Sequence, residues 1–253
     1  TTVAKKVVEL ANASEQPFFI LAHNGPERPC DESERPQWRN EFERYIYEDD
    51  LAIGILLDNL DFTTTRLVVY GDHGMLVGEH GNLYWYAFSL FQQCLDVPCI
   101  ISDDTPRIIE EPHSLTELYT VACEHRLVRK KEIFSDTMYP LQRHRATSLR
   151  IGDWKYIAHY NWATALAGKQ EELYDLRVDP GEHRNLLHDV SRCPVRGDWN
   201  SSDVGEDWRC FKYDTEKLDS LLESMRSKIA QIWVDGFLKQ TGSLSEVTAE
   251  KAR

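Results

Sequence analysis

Leu67-Val68-Val69-Tyr70-Gly71-Asp72-His73-Gly74 decides how this chain is read. Residues suited to a buried strand run straight into Gly-Asp-His-Gly. Neighbouring side chains in a strand point to opposite faces. Asp72 and His73 can therefore serve one site only if the chain has already left the strand. Gly71 and Gly74 bracket the pair and permit a sharp backbone path there. Open α/β sheets bind ligands just beyond the carboxyl ends of their strands. A carboxylate beside an imidazole at that place offers two kinds of metal ligand, and the pattern points to metal-assisted hydrolysis.

The chain has 253 residues, 42% hydrophobic and 28% charged. At about 100–200 residues per domain, that is one large domain or one and a half. No apolar run approaches the roughly 18 residues of a membrane helix. The net charge of −13 argues against nucleic-acid binding through phosphate neutralisation. Residue 1 is Thr and no signal peptide is visible, so the chain is expected to begin inside a longer protein, and the cytoplasm is the favoured compartment. None of the six cysteines forms a Cys-x-x-Cys pair, which speaks against a zinc ribbon. Cys94 and Cys99 lie in an apolar run and are expected to be buried thiols. Cys193 and Cys210 flank a polar loop at a spacing that leaves their pairing open.

Periodicity places the elements. Val3, Val7 and Leu10 predict a helix over 2–12. Pro17 to His23 reads as a buried strand, and Asn24 to Pro29 as a loop. Phe42, Ile46, Ile53, Leu56, Leu57 and Leu60 form the apolar stripe of a helix over 38–60. Strands are expected at 67–70 and 95–101, with a helix at 114–122. Strands that are apolar throughout favour a covered, largely parallel sheet. Beyond about residue 135 the texture changes. Thr147–Ile151 and Trp154–Ala158 straddle Gly152-Asp153 as a hairpin. Glu172–Leu176 is a further strand, 190–210 a polar loop, and 215–234 a helix with Leu218, Leu221, Leu222, Met225, Ile229, Ile232 and Trp233 on one face.

Several of these segments, taken in order, resemble the carboxyl-terminal half of a sulfatase, within the alkaline phosphatase-like superfamily. Pro17 to Ala22 is similar to the strand before the family's Ala-Pro-His loop. Asp50 and Gly54 match its Asp-x-x-x-Gly helix. Val68 to Gly81 resembles the Ser-Asp-His-Gly-x-x-Leu-Gly-Glu-His-Gly segment, and Asp96-Val97-Pro98 the Arg-Val-Pro start of a strand. Trp154-Lys155-Tyr156, together with Glu172 to Leu176, Asp179-Pro180-Gly181-Glu182 and Asn185-Leu186, resembles the closing subdomain.

The resemblance implies an α/β fold: part of a large, mainly parallel sheet with flanking helices over residues 1–134, then a smaller α+β subdomain with an antiparallel sheet over 135–253. It implies Asp72 and His73 as ligands of one divalent metal ion. The imidazole tilts the choice from Ca²⁺ towards Zn²⁺ or Mn²⁺, while the family keeps Ca²⁺ and Mg²⁺ open. The co-ligands would lie upstream, and so would the nucleophile, a Cys oxidised to formylglycine or a Ser in Cys/Ser-x-Pro-x-Arg. That pentapeptide does not occur in this chain. Glu27 stands where the family has its substrate-contacting His, either as a substituted contact or simply solvated. No Lys follows Gly78-Glu79-His80-Gly81 as it does in many members. His80 could face the cleft or hold its own loop. Tyr84, Trp85 and Tyr86 could line a substrate mouth, though aromatic clusters more often pack. His23 reads as a satisfied core His, and Asp50 as an anchor for its helix.

The function implied is a metal-dependent hydrolase of sulfuric or phosphoric esters, its substrate a small-molecule or glycan ester. One alternative is a phosphodiesterase or phosphonate hydrolase of the same superfamily. The other is a degenerate, non-catalytic module that binds a sulfated partner.

Overall fold

Ile151 and Trp154 pair across the two-residue turn Gly152-Asp153, and the register of the larger sheet follows from that turn. Gly152 takes φ 59°, the left-handed value required of a hairpin with glycine at its first turn position. The computed structural model describes residues 1–23, 35–82, 89–102, 106, 108–124, 126, 130–139, 144–160, 171–187 and 215–241. Glu27, Tyr84, Trp85, Tyr86, Cys193, Cys210 and the 190–210 loop lie outside them. The chain divides into two compact units. One takes residues 1–71, 77–84 and 98–108, and the other takes 72–76, 85–97 and 109–253.

In the second unit, β3 (Glu132–Tyr139), β4 (His144–Ile151), β5 (Trp154–His159) and β6 (Glu171–Asp175) form a four-stranded antiparallel sheet in sequence order. β3 adds to the strands expected. Its mixed polar sequence hides the alternation that pairs Phe134 with Leu149 and Asp136 with Thr147. Both faces are covered. On one, Leu149, Tyr156, Ala158 and Leu173 pack against Leu222, Met225 and Ile229 of helix α6 (Thr215–Thr241). The spacing of those three helix residues gives the apolar stripe read from the sequence. Phe134 meets Trp233 edge to face at 6.0 Å, and the Arg145 guanidinium lies 3.7 Å above the Trp233 ring. On the other face, Ala146, Ile157 and Tyr174 pack against Leu90, with Phe91, Leu95 and Leu176 around them. Phe91 opens a short helix, α4 (Gln92–Leu95), and meets Tyr174 edge to face at 6.3 Å.

Turn and edge chemistry completes this unit. Asp179 accepts the backbone N–H groups of His183 and Arg184 at 3.0 and 2.8 Å. Asn185 accepts from Leu173 and Leu187 and donates to the Glu171 carbonyl, lacing the chain along the β6 edge. These bonds satisfy backbone groups that β6 would otherwise leave unpaired. A 3₁₀ turn (Leu115–Glu117) leads into α5 (Leu118–Glu124), close to the helix expected there.

The first unit holds α1 (Thr2–Ala13), α2 (Arg35–Asn59), β1 (Val68–Tyr70), α3 (Glu79–Asn82) and β2 (Cys99–Ile101). Several expectations fail in it. β1 and β2 pair antiparallel, Val68 with Ile101 and Tyr70 with Cys99, so these strands do not form the expected parallel sheet. Uninterrupted apolar runs carry no information on direction. Here they are not doubly buried either: β1 is half-covered, and Cys99 and Ile100 are exposed. Cys99 is therefore not the buried thiol expected, whereas Cys94 is buried. Pro17 to His23 joins neither sheet, and Phe19 and Leu21 are each 70% exposed. His23 is exposed rather than a core residue, and Asp50 is exposed as well. α1 buries Ala4 and Ala11 while Val3 and Leu10 stay exposed. Its packed face is rotated toward the small residues, which let another backbone approach closely. No helix among the described residues is long and apolar enough to cross a membrane.

Candidate functional site

Asp72 and His73 follow the end of β1 by two and three residues, in a segment without regular structure. Both are exposed, so neither carries the desolvation cost of a buried charge. Asp72 Oδ1 accepts the backbone N–H of His73 at 2.9 Å, which turns the carboxylate back along the chain. His73 Nδ1 lies 2.9 Å from the Gly74 carbonyl. A carbonyl only accepts, so this bond puts the proton on Nδ1 and makes Nε2 the basic nitrogen. Nε2 then stands 3.9 Å from Asp72 Oδ1.

That separation is within reach of one cation, though wider than the roughly 3.4 Å between two donors on a tetrahedral ion. Bonds of about 2.0–2.2 Å from oxygen and nitrogen let two donors up to about 4.2 Å apart reach one ion. The donor set is chemically apt: a hard carboxylate oxygen and an imidazole nitrogen whose ring is already oriented by the contact of its other nitrogen with Gly74. Two ligands do not complete a coordination sphere. Among the described residues there is no group of three or more His, Cys, Asp or Glu side chains placed to hold a metal.

Gly74 has a different role from the one its flexibility suggests. Neither it nor Gly71 adopts a left-handed φ. A Cβ on Gly74 would lie 2.1 Å from the Gln93 carbonyl oxygen and 3.3 Å from Cys94 Cα. Glycine is needed because α4 comes this close. The Gly74 N–H donates to the Cys94 carbonyl at 2.8 Å. The Cys94 sulfur is hydrogen-bonded by the Ser89 side chain and the Leu76 backbone, while burial pushes its thiol up from the usual range. Leu76 itself is fully buried. The segment carrying Asp72 and His73 is thus clasped to α4 at both Gly74 and Leu76.

His80 belongs to α3 in the other unit. It is half-buried, with φ 53°, a left-handed value that is uncommon outside glycine. Gly78, two residues earlier, has φ 117°, and the Glu79 side-chain carboxylate accepts the Val77 N–H at 2.6 Å, a bond within the loop itself.

Sequence reasoning passed over Lys155 and Glu182. They form an ion pair of 2.6 Å, with side chains 1% and 0% exposed. Burial drives the Lys155 ammonium down and the Glu182 carboxyl up, and each partner opposes the other's shift. Lys155 also donates to Gln92 Oε1 at 3.0 Å, and Glu182 accepts the Gln92 backbone N–H. A signal was present in the sequence. Lys155 sits among Trp154, Tyr156 and Ile157 in a strand now seen to be covered on both faces, where a cation must find a buried partner.

No family model matches this chain, and no curated protein matches it. Among solved structures, it is similar to a presumed sulfatase from Bacteroides thetaiotaomicron at 19% identity and a TM-score of 0.48, over 64% of this chain and 41% of that one. It is also similar to a 2-O GAG sulfatase at 16% identity and a TM-score of 0.49, over 86% of this chain and 46% of that one. The chain spans less than half the length of either structure. At these values neither neighbour decides what this chain does.

Proposed function

We propose that this chain carries part of the catalytic centre of a metal-dependent hydrolase of sulfuric esters. Asp72 and His73 are two ligands of one divalent cation. The observation that carries the reading is the facing pair itself: Asp72 Oδ1 and His73 Nε2 are 3.9 Å apart, and the His73 tautomer is set by Gly74. The ordered series of segments resembling a sulfatase supplies the reaction class. A cation held there would act as a Lewis acid on the ester and lower the pKa of the attacking nucleophile.

The residues of this chain do the holding. Asp72 supplies negative charge and keeps its orientation through the His73 N–H. His73 presents Nε2 while Nδ1 stays protonated against Gly74. Gly74 lets the loop lie directly on α4. Among the described residues no third His, Cys, Asp or Glu stands with the pair to complete a ligand set. The substrate is a sulfate ester of a small molecule or a glycan.

The test uses the full-length protein that contains this sequence, beside an Asp72→Ala/His73→Ala variant. Each is assayed on an aryl sulfate, a phosphodiester and a phosphonate, with and without chelator. Chelator-sensitive hydrolysis of the aryl sulfate, absent in the variant, is expected. Preference for the phosphodiester or phosphonate would move the protein to another branch of ester hydrolysis. Unchanged activity in the variant would remove Asp72 and His73 from the mechanism.

A further inference from the structure

The proposed chemistry makes no use of Lys155 or Glu182, yet both are stripped of water. Desolvating two ions costs several kcal/mol each, and the cost is recovered only where geometry and additional hydrogen bonds are good. Two apolar side chains would fill the same space without that cost. The pair's remaining hydrogen bonds show what it holds.

Both partners reach the same residue. Glu182 Oε2 accepts the backbone N–H of Gln92, and Lys155 Nζ donates to the Gln92 side chain. Gln92 is the first helical residue of α4, with Phe91 as its N-cap. Its N–H is one of the donors a helix cannot satisfy internally. The Phe91 side chain makes no capping bond. Glu182 caps α4 instead, from a distant part of the chain. Gln93 Nε2 adds a bond to the Gly181 carbonyl at 3.3 Å. Glu182 is held at φ 58° to do this, a strained value for a residue other than glycine. Such strain persists where the surroundings over-determine it.

At its other end α4 meets the loop that carries the candidate ligands. The Cys94 carbonyl takes the Gly74 N–H at 2.8 Å, and the Gln93 carbonyl fills the space beside Gly74 Cα. The Gly74 carbonyl in turn is bonded to the His73 ring. An unbroken path of bonds runs from the sheet through α4 to His73, all of it within the second unit.

We propose that Lys155 and Glu182 are a positioning pair: through α4 they fix the loop bearing Asp72 and His73. The proposal takes from the functional reading only that this loop matters. Its own test needs neither metal nor substrate, so the two fail separately.

The test is residue-resolved amide hydrogen exchange on the full chain. Gln92→Pro removes the N–H that Glu182 accepts. Proline is tolerated at a first helical position, and Phe91, at φ −68° and ψ 157°, already has the extended conformation demanded before proline. A second variant, Lys155→Met/Glu182→Leu, removes both charges together and keeps the core filled. Met225→Ala, which disturbs the opposite face of the sheet, calibrates general loosening. Exchange at Gly74 and Leu76 is expected to quicken about fivefold in the first two variants, as for the loss of one hydrogen bond. Leu149 and Tyr156 should keep their wild-type rates there and quicken only in Met225→Ala. Unchanged Gly74 exchange in both variants would overturn the proposal. So would a rise at Gly74 that merely tracks Leu149 and Tyr156.

Discussion

Gly74→Ala isolates the reason a glycine stands beside the candidate ligands. The added methyl would sit 2.1 Å from the Gln93 carbonyl oxygen, against an ordinary heavy-atom contact of about 3.5 Å. The neighbouring atoms are backbone, so no side chain can swing aside. Loop and helix must part by more than about 1 Å, which breaks the Gly74–Cys94 bond of 2.8 Å. Overpacking costs about 1–3 kcal/mol and the lost bond about 1 kcal/mol, so the second unit should lose about 2–4 kcal/mol. Gly54→Ala is the control. Nothing lies within 4 Å of its added methyl in the interior of α2, and the same substitution there should gain about 0.5–1 kcal/mol. Urea denaturation followed by amide exchange reads each unit separately. A Gly74→Ala chain as stable as wild type would refute the close-approach argument, as would a loss no larger than that from an exposed-site substitution.

Other expectations follow from the packing and charge of the second unit. Met225→Ala opens a fully buried site and should cost about 2–5 kcal/mol in urea unfolding. Gly152→Ala forces a side chain into φ 59° and should cost about 1–2 kcal/mol, without altering the pairing of Ile151 with Trp154. Hydrogen bonds from Arg226 hold the Glu171 carboxyl below its usual 4.5. The folded state therefore binds that proton more weakly than the unfolded state. The resulting stability is present above the ordinary carboxylate range and is lost as pH falls through the lowered folded value. Arg226→Met should bring that loss in at a higher pH, seen as an acid unfolding midpoint moved upward; an unmoved midpoint would remove Arg226 as the cause.

The closing sheet was legible because its signals are local. Gly152-Asp153 supplies the turn, and Leu222, Met225 and Ile229 recur at the spacing of one helix face. Strand alternation places Tyr156 and Tyr174 on opposite faces, one under α6 and one against Phe91. What was not legible depends on partners distant in sequence. Nothing in Val68-Val69-Tyr70 states that Cys99–Ile101 will run antiparallel to it. Ala4 and Ala11 carry the packed face of α1 by being small, a property that hydrophobic periodicity undervalues. The apolar neighbours of Lys155 signal that it needs a buried partner, but only the fold shows that the partner is Glu182, 27 positions later. At the candidate site, residue type and flanking glycines single out Asp72 and His73, and the fold leaves Asp72 Oδ1 3.9 Å from His73 Nε2. The actual reason for Gly74 is the approach of Gln93, which only the folded chain reveals.

The most direct measurement of the central claim is a titration of the full chain with Mn²⁺, following amide line broadening by NMR. Broadening is expected to centre on Asp72, His73 and Gly74 at low metal and to be abolished by Asp72→Asn/His73→Gln, with Leu149 and Tyr156 unaffected. Broadening that ignores this loop, or that survives the double substitution, would contradict the assignment of Asp72 and His73 as ligands of one ion.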